Sequence, residues 1–521
     1  MKNLLKPTFL FILFSAISAC NDYVDIIPIA PNSENYLNNE EEYEDALIGV
    51  YDMLQTTLFN VMVGHTASDD IIAGGDPNTF DQPTLQRIDK MVHSPSDNEQ
   101  IQLIWQLMYA GYNRANYVLE FENKTEFENR DEVIAQVYFL RAHFIFELTK
   151  FFGNVPLAIE ERAGVSRIAN TRLLFGDQYT IDRVASVGAI YTMLEADLKE
   201  AIPNLPLTRP AEETYKITKG AAQALLGKVY LYNKQYAEAA VEFNNLIDSG
   251  VYSLLEGSAY TNLFTFEGEN SAESVFEVQY TGVVGNNWDC LHCNAGNYLP
   301  QSNGPRSPYP SSVYKEGWGI NIVSKNLYKL YDSQDRRRDV TILAPASGTY
   351  GVSRENSGYY NKKYLVRKDE PTVSSDPVSY QNNYRVIRYA DVLLMAAEAE
   401  AQSGGANAID YLNQVRERAF NGTSRNYPYN GESDVLEAIY KERRLELAGE
   451  GHRFFDLVRT GKAKEAFDTY NASIDLEPLT ASEKAERKIN FTVDKNEIFP
   501  IPLIELNLAN SLEKWGQNPG Y

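Results

Sequence analysis

The sequence predicts a mainly α-helical protein built on tetratricopeptide-like repeats, interrupted by a large irregular insertion of loops and short hairpins. Three observations carry that class. Apolar residues recur at three- and four-residue steps, as at Tyr43, Leu47, Val50, Tyr51 and Leu54, the period of a helix with one buried face. Residues 225–246 align without gaps on 394–415, each giving a small-residue helix, a polar turn, and a second helix beginning with Ala237 or Ala406. Repetition of one helix–turn–helix unit is the signature of a repeat scaffold. Between the two copies, 251–385 turns to Gly, Asn, Pro, Ser and Tyr without a helical period.

Taken in order, the chain opens with Lys2, Lys6, an apolar run over 9–14 and Ser18-Ala19-Cys20. This is the layout of a secretory signal over 1–19, too short to span a membrane. The small residues before Cys20 resemble a bacterial lipobox, so Cys20 is expected to carry a lipid, with 20–38 as a tether to the cell surface. A single domain is expected over 39–521. A helix is expected over 40–57, then a Gly/Asp/Asn/Pro-rich loop over 64–96 that is too long for a simple connector. Helices follow at about 98–121, with Ile101, Ile104, Trp105, Met108 and Tyr112 on one face, and at 131–152. Further helices fit about 184–201, 217–234 and 236–249, completing a first helical region over about 40–250. Small residues such as Gly227 and Ala396 allow paired helices to approach closely. The loop-rich region over about 251–385 holds a β-like run at 274–280 and one helix near 322–333. The second helical region covers 386–460, and 461–521 closes the chain.

Charge narrows the function. Removing Lys2 and Lys6 with the leader takes the formal charge from −23 to −25, which argues against nucleic acid and anionic lipid headgroups as partners. G-x-S-x-G, H-E-x-x-H and P-loop motifs are absent from the sequence, so the familiar hydrolase and NTPase signatures are missing. Carboxylate pairs such as Asp69/Asp70 are expected by chance among 71 acids, and no catalytic residue or cofactor is assigned. Cys290 and Cys293 form a C-x-x-C around His292. A zinc site needs a second ligand pair, which the sequence does not offer, and a redox role needs a thioredoxin-like setting. A local disulfide stiffening the loop is the better reading in an exported protein.

Binding residues are sought on the loops. Trp288, Tyr298, Tyr309, Tyr314 and Trp318 stand in Gly/Pro/Asn-rich chain without a period, and such rings can stack on the apolar faces of sugars. Asn286, Asn287, Gln301, Asn303 and Arg306 can hydrogen-bond hydroxyls; packing of the same rings onto the scaffold is the alternative. Loop 64–81 adds His65, Asp69, Asp70, Asp76, Phe80 and Asp81, whose spacing does not match an EF-hand, and no metal site is assigned. The candidate ligand set is Trp288, Tyr298, Tyr309, Asn287, Arg306, Phe80 and Asp70.

Residues 442–457 gather acids, arginines, His452 and two glycines and could pass for an active site. Asp434 and Glu437 resemble a capping box, however, and Glu437/Lys441 and Arg443/Glu446 have helix-pairing spacings. Gly449 and Gly451 then break the helix before Phe454, Phe455 and Leu457. The stretch is read as a structural brace.

Together these residues bring in a family. Cys20 with Tyr23-Val24-Asp25 and Pro28 begins the match, followed by Asn113-Arg114-Ala115-Asn116 and Arg141-Ala142. It continues with Gly317-Trp318-Gly319-Ile320-Asn321, Asp335-Arg336-Arg337 and the run from Arg388 to Leu394. Residues 442–457, Phe499-Pro500-Ile501-Pro502 and the Gln517-Asn518-Pro519-Gly520-Tyr521 ending complete it. The chain resembles the SusD/RagB family of surface nutrient-binding lipoproteins over nearly its whole mature length, departing at Leu503-Ile504 and Trp515. The resemblance implies a helical, tetratricopeptide-like fold with a variable ligand-binding loop region, held at the outer membrane by its lipid and facing outward. It implies a SusC-like TonB-dependent transporter as partner, over which the protein sits as a lid. The implied ligand is an oligosaccharide or polysaccharide, or a peptide in one branch, captured and not cleaved. The motif residues are landmarks of fold, so Trp318 loses weight as a contact. A surface glycoside hydrolase, or a scaffold for protein partners alone, are the readings from other classes.

Overall fold

The computed structural model describes residues 36–173, 177–282, 295–309, 311–344, 353–370, 377–509 and 514–521. Helix α1 (Glu40–Tyr51) begins where Asn39, in extended backbone, accepts the Glu42 amide with its side chain, satisfying a donor that the first turn leaves open. The helix expected over 40–57 is divided. A 3₁₀ stretch over Asp52–Thr56 separates α1 from α2 (Thr57–Thr66), which is buried on every side and so shows no period. The loop expected over 64–96 also holds structure: strand β1 (Ile71–Gly74) and helix α3 (Pro83–Asp89).

The scaffold continues with α4 (Glu99–Glu120), α5 (Arg130–Phe152), a hairpin of β2 (Ile159–Arg162) and β3 (Val165–Ile168), α6 (Val187–Ala201), α7 (Lys219–Tyr232) and α8 (Tyr236–Asp248). The long helices pack in sequence order, α4 on α5, α5 on α6, α6 on α7 and α7 on α8. Helix α5 lies at the centre and is buried almost all round, including Arg141, which Asp197 of α6 holds with two bonds of 2.7 Å. The expected close approach is real at Gly227, where an added Cβ would stand 2.6 Å from the Phe243 ring of α8. Gly227→Ala is expected to lower stability by about 1–3 kcal/mol through overpacking, read as a lower urea midpoint at unchanged m-value; an unaltered midpoint would show that the pair can relax.

After α8 the chain leaves the scaffold. It forms α9 (Gly257–Thr261), β4 (Ser274–Val278), α10 (Leu299–Asn303), β5 (Ile320–Val323), α11 (Lys325–Leu330), α12 (Arg336–Thr341), β6 (Ile342–Leu343), β7 (Tyr360–Asn361) and β8 (Tyr384–Arg388). The helix expected near 322–333 shrinks to α11 because Ile320–Val323 pairs into a sheet. That sheet has the order β1-β5-β7-β6, with Ile71 opposite Val323 and Ile322 opposite Tyr360. Strands β4 and β8 pair antiparallel, closing the base of the excursion. Helix α13 (Tyr389–Ser403) then packs directly on α8, and α14 (Ala408–Phe420) and α15 (Val435–Glu446) pack on α13. The two repeat copies are therefore neighbours in space. Helices α16 (Arg453–Arg459), α17 (Ala463–Asp475), α18 (Ala481–Arg487) and α19 (Leu503–Leu508) finish the described chain.

Residues 442–457 knit these parts together. Glu446 is buried against Arg418 at 2.6 Å, Arg388 at 2.9 Å and Arg337 at 3.5 Å. Glu273 binds Arg388 and Arg418, each at 2.7 Å, and Glu450 binds Arg388 at 2.7 Å and Lys363 at 2.6 Å. Glu442 joins Arg337 and Arg416. The helix pairs expected from spacing are replaced by longer-range ones: Arg443 turns to Asp391 and Asp456, and Glu437 to Lys462. Asp434 does cap α15, accepting the Leu436 and Glu437 amides. Burial alone would raise the Glu446 carboxyl, but the Arg418, Arg388 and Arg337 guanidiniums outweigh it and hold it well below the usual carboxylate range.

Candidate functional site

Three loops meet at one end of the four-stranded sheet. Residues 75–81 leave β1, 311–319 lead into β5, and 353–355 lie across both, with the Gly75 amide donating to Gly319 O and the Arg354 amide to Gly75 O. The approach is too close for side chains. A Cβ on Gly74 would sit 2.2 Å from Gly319 O, and one on Gly319 would sit 2.0 Å from Ser353 Oγ. Both glycines also have φ near +65°, at 67° and 65°, a region that favours glycine.

Phe80 projects from this junction 65% exposed, with the Arg354 guanidinium 4.4 Å over its ring. Arg306 reaches between Asp76, at 3.0 Å, and Asp81, at 3.2 Å, and donates to Trp318 O. The two carboxylates are thereby bridged by one guanidinium. Asp76 also accepts the Asn78 and Thr79 amides; these amides, Asn78 first, with Arg306 hold its carboxyl below the ordinary value, the reverse of what a general acid needs. Behind Arg306, the half-buried Trp318 donates its amide to Gln301 O, Gln301 accepts the Tyr380 hydroxyl, and the Lys315 ammonium lies 5.2 Å from the Tyr380 ring centre. An exposed aromatic face bordered by cations and amides is suited to holding a hydroxylated ring.

Several expected contacts lie elsewhere. Tyr298 is buried at 3% exposure, edge-on to Phe59 at 5.9 Å and 6.5 Å from Trp318. Tyr309 is buried at 7% exposure, edge-on to Tyr360. Both are corrections, since a ring enclosed by its own chain offers no free face for stacking. Asp70 is corrected too: it is buried, with Oδ1 2.6 Å from Arg444, and Asp69 binds both Arg444 and Arg453. Asn303 is buried in bonds to Lys363 O and Asn321, and Tyr314 is half-buried near Lys362.

Trp288, Asn287, Cys290, Cys293 and Cys20 lie outside the described residues. The chain on either side of 283–294 is described, and there the Thr281 amide donates to Ala295 O at 2.8 Å and the Asn297 amide to Tyr380 O at 2.7 Å. Thr281 and Ala295 are thus joined directly, and Asn297 lies beside Tyr380. Arg354, Lys315 and Tyr380 were not legible as site residues, because a single Arg, Lys or Tyr in irregular chain carries no pattern.

Comparison with known proteins agrees with this architecture. Residues 337–521 match the family model described as the SusD family, and 27–231 match one described as starch-binding associating with outer membrane. A SusD-like protein P2 of Formosa agariphila is 26% identical, with 99% of each chain covered. A solved laminarin binding SusD-like protein is 32% identical, with 93% of this chain and 100% of that one covered and a TM-score of 0.77. Surface glycan-binding protein A from Bacteroides thetaiotaomicron, solved in complex with laminarihexaose, is 26% identical, with 92% and 99% covered and a TM-score of 0.76. With the helical scaffold and the full-length match in agreement, the chain belongs to the SusD/RagB family.

Proposed function

We propose that this protein is a lipid-anchored glycan-binding protein of the outer membrane that captures oligosaccharides or polysaccharides on the extracellular side. It delivers them to a SusC-like TonB-dependent transporter and does not cleave them. The observation that carries the reading is the 32% identity, over 93% of this chain, to a laminarin binding SusD-like protein. A second relative was solved with laminarihexaose, which makes laminarin the first ligand to test. The surface of Phe80, Arg354, Arg306 and Trp318 supplies the chemistry, and Trp288 and Asn287 are kept as proposed contacts on their residue types in the sequence. Cys20 provides the anchor, and Cys290 and Cys293 a local disulfide.

Affinity electrophoresis and calorimetry of the mature chain against laminarin and a glycan panel test the reading. Phe80→Ala is expected to weaken binding by roughly 1–3 kcal/mol, the range of other aromatic stacking contacts. Unchanged affinity would remove Phe80 from the site, and silence toward every glycan would turn the search toward peptides. An overnight digest with sensitive product detection is expected to release no sugar.

A further inference from the structure

A pocket apart from the loop cluster lies between α4 and the C-terminal tail. Its volume is about 340 Å³, inside the roughly 300–1,000 Å³ range of small-molecule sites. Five aromatic side chains line it: Trp105, Tyr109 and Tyr112 from α4, Tyr179, and Trp515. The rings are tilted against one another, Trp105–Tyr109 at 4.9 Å and 46°, Trp105–Trp515 at 6.0 Å and 45°, and Tyr179–Trp515 at 6.0 Å and 42°. They form a cup more than a flat platform. Tyr109 and Tyr179 are half-buried at its rim.

The carboxylate of Glu505 also faces this pocket, on a residue only 4% exposed. Its described side-chain partners are neutral: Gln106 donates to Oε1 at 2.8 Å and Tyr179 to Oε2 at 3.2 Å. Among the described residues no cation lies within ion-pair distance of it. Arg183, whose guanidinium reaches Trp515 O, is engaged by Asn154, Asn518 and the Gly516 carbonyl. Position in the first turn of α19 supplies part of a positive charge, but not a counter-ion. Most other buried carboxylates among the described residues face guanidinium or ammonium groups, as Glu446 and Glu450 do, the usual arrangement for buried charge. Glu400, held by Asn244 and the Asn407 amide, is likewise without a cation but lines no such aromatic pocket.

The remaining polar groups decide the ligand class. Asn113 is bound at both ends of its amide by Leu173, and the Tyr109 hydroxyl is donated to Pro156 O. Gln106 is already donated to Glu505. A sugar would need several such groups free to meet its hydroxyls; apart from the buried Tyr112 hydroxyl, what remains open here is negative charge ringed by aromatic faces. That combination attracts a weakly hydrated cation through the ring quadrupoles and the carboxylate together.

We propose that the pocket between α4 and the C-terminal tail is a binding site for a small organic cation of the alkylammonium type, held by Trp105, Tyr109, Tyr179, Trp515 and Glu505. The site is independent of the glycan-binding surface.

Calorimetric titration of the mature chain with choline tests the proposal, with its neutral isostere 3,3-dimethylbutanol and glucose as the other arms. Trp105 and Trp515 are two of four tryptophans, so intrinsic fluorescence provides a second readout. Choline is expected to bind saturably, and at least tenfold more tightly than the isostere or glucose. Glu505→Gln is expected to weaken choline at least tenfold without lowering Tm. Tyr179→Leu, which removes one ring of the cup and one hydrogen bond to Glu505, is expected to weaken it as well. Laminarin affinity, measured in the same preparations, is expected to stay constant in both variants, which separates failure here from failure of the glycan reading. Equal binding of the isostere, tighter binding of glucose, no choline binding, or unchanged choline affinity in both folded variants would overturn the assignment.

Discussion

Replacing Glu446 with Gln is expected to lower the unfolding free energy by about 3–5 kcal/mol, the cost of breaking a buried pair while its partners stay buried. Three guanidiniums converge on this one carboxylate, from Arg337, Arg388 and Arg418. The amide keeps its shape but removes its charge, leaving excess positive charge in a medium that solvates it poorly. Urea unfolding at constant m-value measures the loss. Glu437→Gln, on an exposed pair, is the control and should change stability by less than about 1 kcal/mol. Glycan affinity in the folded fraction is expected to persist. A stable Glu446→Gln protein that no longer binds glycan would make this stretch part of the site.

Acidification is expected to unfold the protein with a midpoint above pH 4. Burial pushes His65, His93, His143 and His452 down from 6.5 to about 4. With folded values depressed below unfolded ones, each contributes stability that is present above pH 6.5 and lost as pH falls toward 4, at up to about 1.4 kcal/mol per pH unit. Glu269 and Asp89 act in the opposite sense. Burial raises them to about 7 and about 6, so they take up protons in the folded state and offset part of the loss. Below pH 4 the paired acids add to it: burial raises each, but Lys150, His143 and Asn60 together hold Glu147 at about 2, and Arg443, Lys228 and His452 together hold Asp391 at about 2. Circular dichroism from pH 7.5 to 3 follows the transition. His143→Leu is expected to move the midpoint lower; a wild-type chain fully folded at pH 3.5 would refute the assignment of the histidines.

The helical scaffold was legible because α4, α6, α8 and α14 each bury one stripe and expose the other, which leaves a period in the sequence. Helix α2, buried all round, left none. The brace was legible as structure but not in its pairing: spacing favoured Arg443 with Glu446, whereas burial brings each of them partners from 337, 388, 391, 418 and 456. The site was legible only in part. Lack of a period at Tyr298 and Tyr309 was read as exposure, but a loop laid over a scaffold can bury rings without repeating them. Phe80 and Arg306 do come to the surface cluster, and Arg354 joins them from a stretch that carried no signal.

Asp69 and Asp70 reach Arg444 and Arg453 across some 375 residues of chain. This clasp has a kinetic meaning. Arg337, Arg388 and Arg418 are all synthesised before the carboxylate of Glu446 that they share, and Asp69 waits for guanidiniums that arrive near the end. Pairings of such long sequence separation slow the search for the native state. The last eighty or so residues thus supply the closing partners of both clusters, so neither can be completed until the chain is nearly whole.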